Sequence, residues 1–220
     1  MNNPDIRAVI FDMDGTLCET VDDISTAINE MRTALGFDTI TRDKVLLEVN
    51  YDTYTFIKHC LPEGVEDDET IAKATALYKA AYAKCYADQT YPYPGLVDMV
   101  KKMHAAGKPM AIISNKLDEF TKVIAGKLYG DYFKLVLGSG TDLPHKPDPY
   151  TAKMFAEQVG VPVENVGFVG DSETDMKTAT NAGMVRVAVA WGYRSEEHLL
   201  NHGAQYVAHT SEELDKILNG

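Results

Sequence analysis

Short apolar runs alternate through most of this chain with stretches whose apolar positions recur three and four residues apart, and the runs end in polar residues. The first is Ala8-Val9-Ile10-Phe11. Met110-Ala111-Ile112-Ile113, Leu135-Val136-Leu137-Gly138 and Val166-Gly167-Phe168-Val169-Gly170 follow, with further strands expected over residues 185–190 and 205–208. Near-continuous apolar runs of this length suit strands covered on both faces. Between them the helical period predicts helices over 96–106, closed by Gly107, then 117–128, 150–159, 174–182 and 211–218. Strand and helix in alternation predict an α/β fold with a doubly wound, Rossmann-like parallel sheet.

The alternation is interrupted early. From the first strand to about Tyr91 the period is helical throughout: Val21, Ile24, Ile28, Met31 and Leu35 share one helix face that Gly36 ends, and Ile71, Ala74, Tyr78, Ala81, Tyr82 and Cys85 mark another. Stripes of this width suit a helix bundle with a core of its own. Residues 18–92 therefore read as a helical cap domain inserted into an α/β core of residues 1–17 and 93–220, with Tyr91-Pro92-Tyr93-Pro94-Gly95 as the boundary. No internal repeat or low-complexity segment is evident.

Composition narrows the class. With 220 residues, 45% hydrophobic and 25% charged, the chain can build one good core plus an insertion, which excludes fibrous and disordered classes. A formal net charge of −12 argues against nucleic-acid and membrane partners, since both need clustered Lys and Arg, so any attraction for an anion must be local. Cys18, Cys60 and Cys85 are odd in number and lack CxxC spacing, which indicates neither a disulfide framework nor a structural zinc site. Reduced thiols in a cytoplasmic protein fit best, and Cys18 reads as a small buried thiol. No signal peptide is expected before the first strand near Arg7, and no apolar run is long enough to cross a bilayer.

The polar ends of the strands carry the chemistry. Asp12 and Asp14 follow the first strand two residues apart, so an extended backbone turns both toward one side while Met13 faces the core. Gly15 then allows positive φ and close approach of a bound group. A carboxylate so placed can be a nucleophile, a hard-metal ligand or both, and its neighbour can shuttle a proton. Later ends bring Ser114-Asn115-Lys116, then His145-Lys146-Pro147-Asp148-Pro149, where two prolines stiffen the chain around one lysine, and Asp171-Ser172-Glu173-Thr174-Asp175. Each island alone has a plain reading as a helix cap, a first-turn acid or a solvated lysine. Together they fall at or beyond the carboxyl ends of parallel strands, where open α/β sheets bind ligands.

These four blocks, in this order, resemble the haloacid dehalogenase superfamily, and within it the Mg-dependent phosphatases with a small helical cap, phosphoglycolate phosphatases above all. The resemblance implies that Asp12 attacks phosphorus and becomes an aspartyl phosphate, while Asp14 protonates the leaving alcohol and later deprotonates water. It implies phosphoryl contacts from Ser114, Thr16 and the Asn115 backbone, and a lysine, Lys146, paired with nucleophile and phosphoryl group. It further implies Mg²⁺ held by the Asp12 carboxylate, the Asp14 main-chain carbonyl and Asp171, with Asp175 as ligand or supporting partner. The substrate would be a small phosphate monoester. Such an ester carries nearly two negative charges, and at about 4 Å each pair of like unit charges costs roughly 4 kcal/mol at an effective dielectric near 20, so the cations are indispensable.

Two other enzyme readings and one non-enzymatic reading compete. A phosphomutase of the β-phosphoglucomutase type shares these residues, so only the cap's preference separates it. A dehalogenase needs neither the acid at Asp14 nor Mg²⁺. A non-catalytic binding module would not need every block intact. Asn50-Tyr51-Asp52-Thr53-Tyr54 is the candidate cap contact, equally readable as a helix start with tyrosines packed into the cap. Trp191-Gly192-Tyr193-Arg194 resembles a phosphoglycolate phosphatase segment, with aromatic packing as its plain reading and Arg194 as an anion or loop support. Glu66-Asp67-Asp68-Glu69 precedes a helix and reads as solvated. His145 reads as a loop histidine beside Lys146, and the other five histidines form no ligand constellation. Neither oligomeric state nor physiological substrate can be read from the pattern.

Overall fold

A six-stranded parallel sheet organises the larger part of the molecule in the computed structural model, which describes residues 4–220. In chain order the elements are β1 (Ala8–Phe11), β2 (Cys18–Glu19), α1 (Val21–Ala34), α2 (Arg42–Glu48), α3 (Thr53–His59), α4 (Asp68–Cys85), β3 (Tyr91–Pro92), α5 (Leu96–Ala105), β4 (Met110–Leu117), α6 (Asp118–Tyr129), β5 (Leu135–Ser139), α7 (Tyr150–Val159), β6 (Val166–Gly170), α8 (Glu173–Ala182), β7 (Val185–Val189), α9 (Glu196–Asn201), β8 (Tyr206–Ala208) and α10 (Ser211–Asn219). The sheet order is β5-β4-β1-β6-β7-β8, all pairs parallel, so the chain winds outward from β1 in both directions.

The period of two in β1 explains the layering. Val9 and Phe11 point into a core shared with Leu96, Met99, Ile124 and Leu214, which brings α5, α6 and α10 onto one face. Ala8 and Ile10 face the other way, onto Ala152, Phe155 and Ala179 of α7 and α8. Since β1 is central and covered on both sides, its end is the natural switch point, with β4 on one flank and β6 on the other.

Helices α1 to α4 bury a separate cluster that includes Ile24, Ile28, Met31, Ile57, Ala74 and Tyr82, and Leu117, Phe120 and Tyr193 of the sheet layer close it from below. The helix starts follow capping chemistry: Thr41, Asp52 and Asp67 each accept a backbone N–H through the side chain at the starts of α2, α3 and α4. The acids at residues 66–69 thus initiate α4, as expected of a first turn. The two strands missing from the sequence reading, β2 and β3, pair antiparallel as Cys18 with Pro92 and Glu19 with Tyr91. They join the two places where the chain passes between helical layer and sheet. A second difference concerns β4, which runs on through Ser114-Asn115-Lys116 to Leu117, with its register to β5 shifted between Ile113 and Leu117. The polar triplet therefore lies within the strand rather than beyond it.

Candidate active site

Asp12 leaves β1 with its backbone N–H still donating to Val169 of β6, so the sheet itself sets its position. It is 1% exposed, and Lys146 Nζ lies 2.7 Å from its Oδ1. That contact is an ion pair without hydrogen-bond alignment, so both Asp12 oxygens remain buried acceptors lacking an aligned donor. Burial, offset by Lys146 and reinforced by Asp175 and Asp14, pushes the Asp12 carboxyl up to about 7. Burial alone would lower the Lys146 ammonium, but the charges of Asp12 and Asp175 outweigh it and hold the ammonium above its ordinary range.

Lys146 is fixed from both ends. Its Nζ also meets Asp175 Oδ1 at 2.7 Å, while its backbone N–H donates to Asn115 Oδ1 at 3.0 Å and its carbonyl accepts from Asn115 Nδ2 at 3.1 Å. The Asn115 side chain thus clamps the lysine loop and also reaches the Asn50 carbonyl above. Asp175 closes a capping box at the start of α8, accepting at Oδ2 from the Ser172 N–H and hydroxyl. Both of its oxygens are therefore engaged.

Asp171 follows β6 and is fully buried, with desolvation raising its pKa well above the ordinary carboxylate value. Thr16 Oγ1 donates to Asp171 Oδ1 at 3.1 Å and the Tyr193 N–H donates to Oδ2 at 2.7 Å. The chain presses so closely here that a Cβ on Gly15, whose φ is +79°, would lie 2.2 Å from Asp171 Oδ2, and one on Gly192 would lie 2.3 Å from its Cβ. Only glycine fits at either position. Carboxylate oxygens of Asp12, Asp171 and Asp175 come within 4.8 Å of one another, a set able to hold a metal ion. Three hard oxygen donors, one of them on an acid without aligned donors, suit a small hard cation.

Asp14 faces a different neighbourhood. Its carboxylate accepts from Thr20 Oγ1 at 2.6 Å and from Lys116 Nζ at 3.0 and 3.1 Å. With Ser114, Asn115, Lys116 and Asn50 it lines a cavity of about 40 Å³ between sheet and helical layer. Ser114 and Asn115 are each 5% exposed, so the whole triplet is inside the molecule. The sequence reading did not single out Thr20 and Lys116 as partners of Asp14, or Tyr193 as a partner of Thr20 and Asp171. For Lys116 the signal was present, since residues two apart in a strand share a face and Lys116 stands two after Ser114. For Thr20 and Tyr193, whose backbone N–H and hydroxyl meet at 3.1 Å, there was none.

Other candidates resolve differently. Tyr51 and Tyr54 are exposed rather than packed into the helical layer, although Asp52 does start α3. Trp191 does more than pack, donating its indole N–H to the Thr16 carbonyl. Arg194 contacts Glu173 and the Leu46 and Leu47 carbonyls at the end of α2, so it supports the helical layer. His145 is exposed. Cys18 is buried, and burial raises its thiol far above the ordinary value, which leaves it protonated and unreactive. No helix among the described residues is long and apolar enough to cross a membrane.

Comparison with known proteins agrees with this arrangement. Residues 9–189 match the family model described as haloacid dehalogenase-like hydrolase. A Pseudomonas aeruginosa protein named phosphoglycolate phosphatase 1 is 33% identical over 202 residues, covering 90% of this chain and 71% of its own length. A solved structure from Lactobacillus delbrueckii subsp. bulgaricus, described as a candidate phosphoglycolate phosphatase, superposes with a TM-score of 0.88 at 28% identity, covering 96% of this chain and 98% of that one. Another, from Haemophilus somnus, reaches 0.90 at 19% identity over 97% of this chain and 98% of that one, a likeness of fold alone.

Proposed function

The chain belongs to the haloacid dehalogenase-like hydrolases, and from that premise we propose that it is a Mg²⁺-dependent phosphatase of small phosphate monoesters, phosphoglycolate-like ones first among them. The observation that carries this reading is the pairing of two buried acids with two separate lysines: Asp12 with Lys146 and Asp14 with Lys116. A site with one acid for attack and one for proton transfer needs each held in its own field.

In this reading an Asp12 oxygen attacks phosphorus, the phosphorus–oxygen ester bond breaks, and its electron pair goes to the departing alkoxide, which takes the proton of Asp14. The phosphoryl group is then an aspartyl phosphate on Asp12. Asp14, now a carboxylate, removes a proton from water as water attacks phosphorus, and phosphate leaves with Asp12 restored. Lys146 offsets the charge that gathers between nucleophile and phosphoryl oxygens. Ser114, Thr16 and the Asn115 backbone are assigned to phosphoryl oxygens, with Thr16 also orienting Asp171 and the Asn115 side chain orienting Lys146. Asp12, Asp171 and the Asp14 carbonyl would hold Mg²⁺, with Asp175 beside them, and when bound it supplies the positive charge that lets a dianion approach a carboxylate.

Residues 18–92 act as the cap in this proposal, excluding water and contacting the leaving group. The small cavity beside Asp14 suits a short leaving group better than the sugar phosphate of a mutase. Three free cysteines suit a reducing compartment such as the cytoplasm. Purified protein should release phosphate from 2-phosphoglycolate with Mg²⁺ and stop when the metal is chelated. Phosphate release unaffected by chelation, or none from any small ester, would overturn the proposal.

A further inference from the structure

Lys116 is a buried cation to which the hydrolytic scheme assigns no contact with substrate. Of the basic side chains buried among the described residues, Arg32 is bound to the Asp38 and Cys60 carbonyls and Lys146 to Asp12 and Asp175. Lys116 is bound to both oxygens of Asp14, at 3.0 and 3.1 Å, with its Nζ 4.7 Å from the centre of the Tyr82 ring, so a protonated Asp14 would leave the ammonium free to meet another anion. It lines the same cavity as Asp14 and Ser114, so an alcohol protonated by Asp14 departs beside an ammonium group.

A second donor lines that cavity. Asn50 Nδ2 is buried with no hydrogen-bond partner, although the Asn50 carbonyl is bound by Asn115. Its backbone φ of 95° lies in the left-handed half of conformational space, where asparagine is among the few side chains found. A buried N–H without a partner is costly, and a ligand acceptor removes that cost. Ile24, Val49, Phe56, Leu117 and Phe120 make much of the remaining wall apolar, and Lys116 is the one cationic side chain among the residues that line it. The volume of about 40 Å³ compares with roughly 10–15 Å³ for one water, room for a few atoms only.

We propose that Lys116 and Asn50 together receive a second anion, a carboxylate carried by the leaving alcohol, and so restrict the substrate class to short phosphate monoesters with an acid group close to the ester carbon. The inference rests on the hydrolytic reading above. Lys116 supplies the charge that separates a carboxylate from a neutral group, and Asn50 supplies a directed N–H that a leaving group without an acceptor at that place would leave unpartnered. Selection of the leaving group then comes from one residue of the sheet and one of the helical layer, acting on the same atoms.

The test compares kcat/KM for 2-phosphoglycolate, for its uncharged carboxamide analogue and for p-nitrophenyl phosphate. Wild-type protein should prefer the carboxylate over the carboxamide about 10- to 100-fold, the worth of one charged hydrogen bond. Lys116→Met and Asn50→Asp should each bring that ratio toward one, whereas Lys116→Arg, which keeps the charge, should retain it. Asn50→Asp changes a single terminal atom and suits the same backbone conformation, so it decides the matter even if Lys116→Met fails to fold. A wild-type enzyme that hydrolyses p-nitrophenyl phosphate yet treats carboxylate and carboxamide alike overturns this inference and leaves the phosphatase reading standing. Equal losses on all three esters in Asn50→Asp or folded Lys116→Met would also overturn it, reducing these residues to supports for Asp14. No hydrolysis of any ester would instead overturn the phosphatase reading.

Discussion

Asp12 and Asp14 stand two residues apart and are both buried, yet they belong to different parts of the molecule. Asp12 is set by the sheet: β6 holds its backbone, and Lys146, Asp171 and Asp175 come from the ends of neighbouring strands. Asp14 is set at the seam: Thr20 precedes α1, and Lys116 rests on the Tyr82 ring of α4. The difference teaches that the two acids answer to different parts of the fold: on the proposed mechanism a shift of the helical layer would bear on proton transfer more directly than on attack.

The largest break in this comparison is Asp12→Asn, which should lower kcat by about 10⁴-fold or more on every ester, because the proposed mechanism forms its covalent bond to phosphorus there. Asp14→Asn sharpens the contrast: loss on an alkyl phosphate should be about 10²- to 10⁴-fold, the usual worth of general acid catalysis, and much smaller on p-nitrophenyl phosphate, whose leaving group needs little protonation. Steady-state kinetics on both esters check the pair, and equal losses would place both acids in one role.

Lys146→Met separates the sides by stability. Removing one partner of a buried ion pair typically costs about 3–5 kcal/mol, and here it leaves Asp12 and Asp175 facing each other without compensation. Urea unfolding at pH 8 should show the loss, and lowering the pH to 5 should recover part of it as Asp12 takes up a proton.

Metal-free wild-type protein should show the same sign. Asp12 titrates near 7 when folded against 3.8 as its ordinary value, and Asp171 is also raised, so between these limits the folded state binds more protons than the unfolded. Stability contributed by the protonated acids is therefore present at low pH and falls as pH rises through about 7. Added Mg²⁺ should raise the melting temperature more at pH 8 than at pH 5, which scanning calorimetry reads directly. The smallest effect belongs to Arg194→Ala, which frees the Leu46 and Leu47 carbonyls from the sheet layer and should change KM by about tenfold or less, leaving the fold intact.

The Asp12 side was legible in the sequence because its parts are local. An apolar strand running into Asp12, another into Asp171, and a lysine between prolines are each visible in a few consecutive residues. The Asp14 side was not, since its partners meet only through the packing of α1 and α4 on the sheet. Lys116 was read within its polar triplet but given no partner, because the strand was ended at Ile113, where polar residues begin, although β4 continues past a shift in register. Helices α2 and α3 have seven residues each, too few for a period to declare itself, and β2 and β3 have two each. For Tyr51 and Tyr54 the sequence left two readings open, contact with a ligand or packing into the helical layer, and the exposure of both rings at the start of a short capped helix removes the second.

The ribbon of Cys18 with Pro92 and Glu19 with Tyr91 has an evolutionary consequence. Outgoing and returning segments are hydrogen-bonded neighbours, so an insertion of almost any length or architecture can be spliced at that doorway without displacing a sheet strand. A different helical segment entering there would, on the proposed reading, change the preference for the leaving group while the residues at the strand ends stay in place.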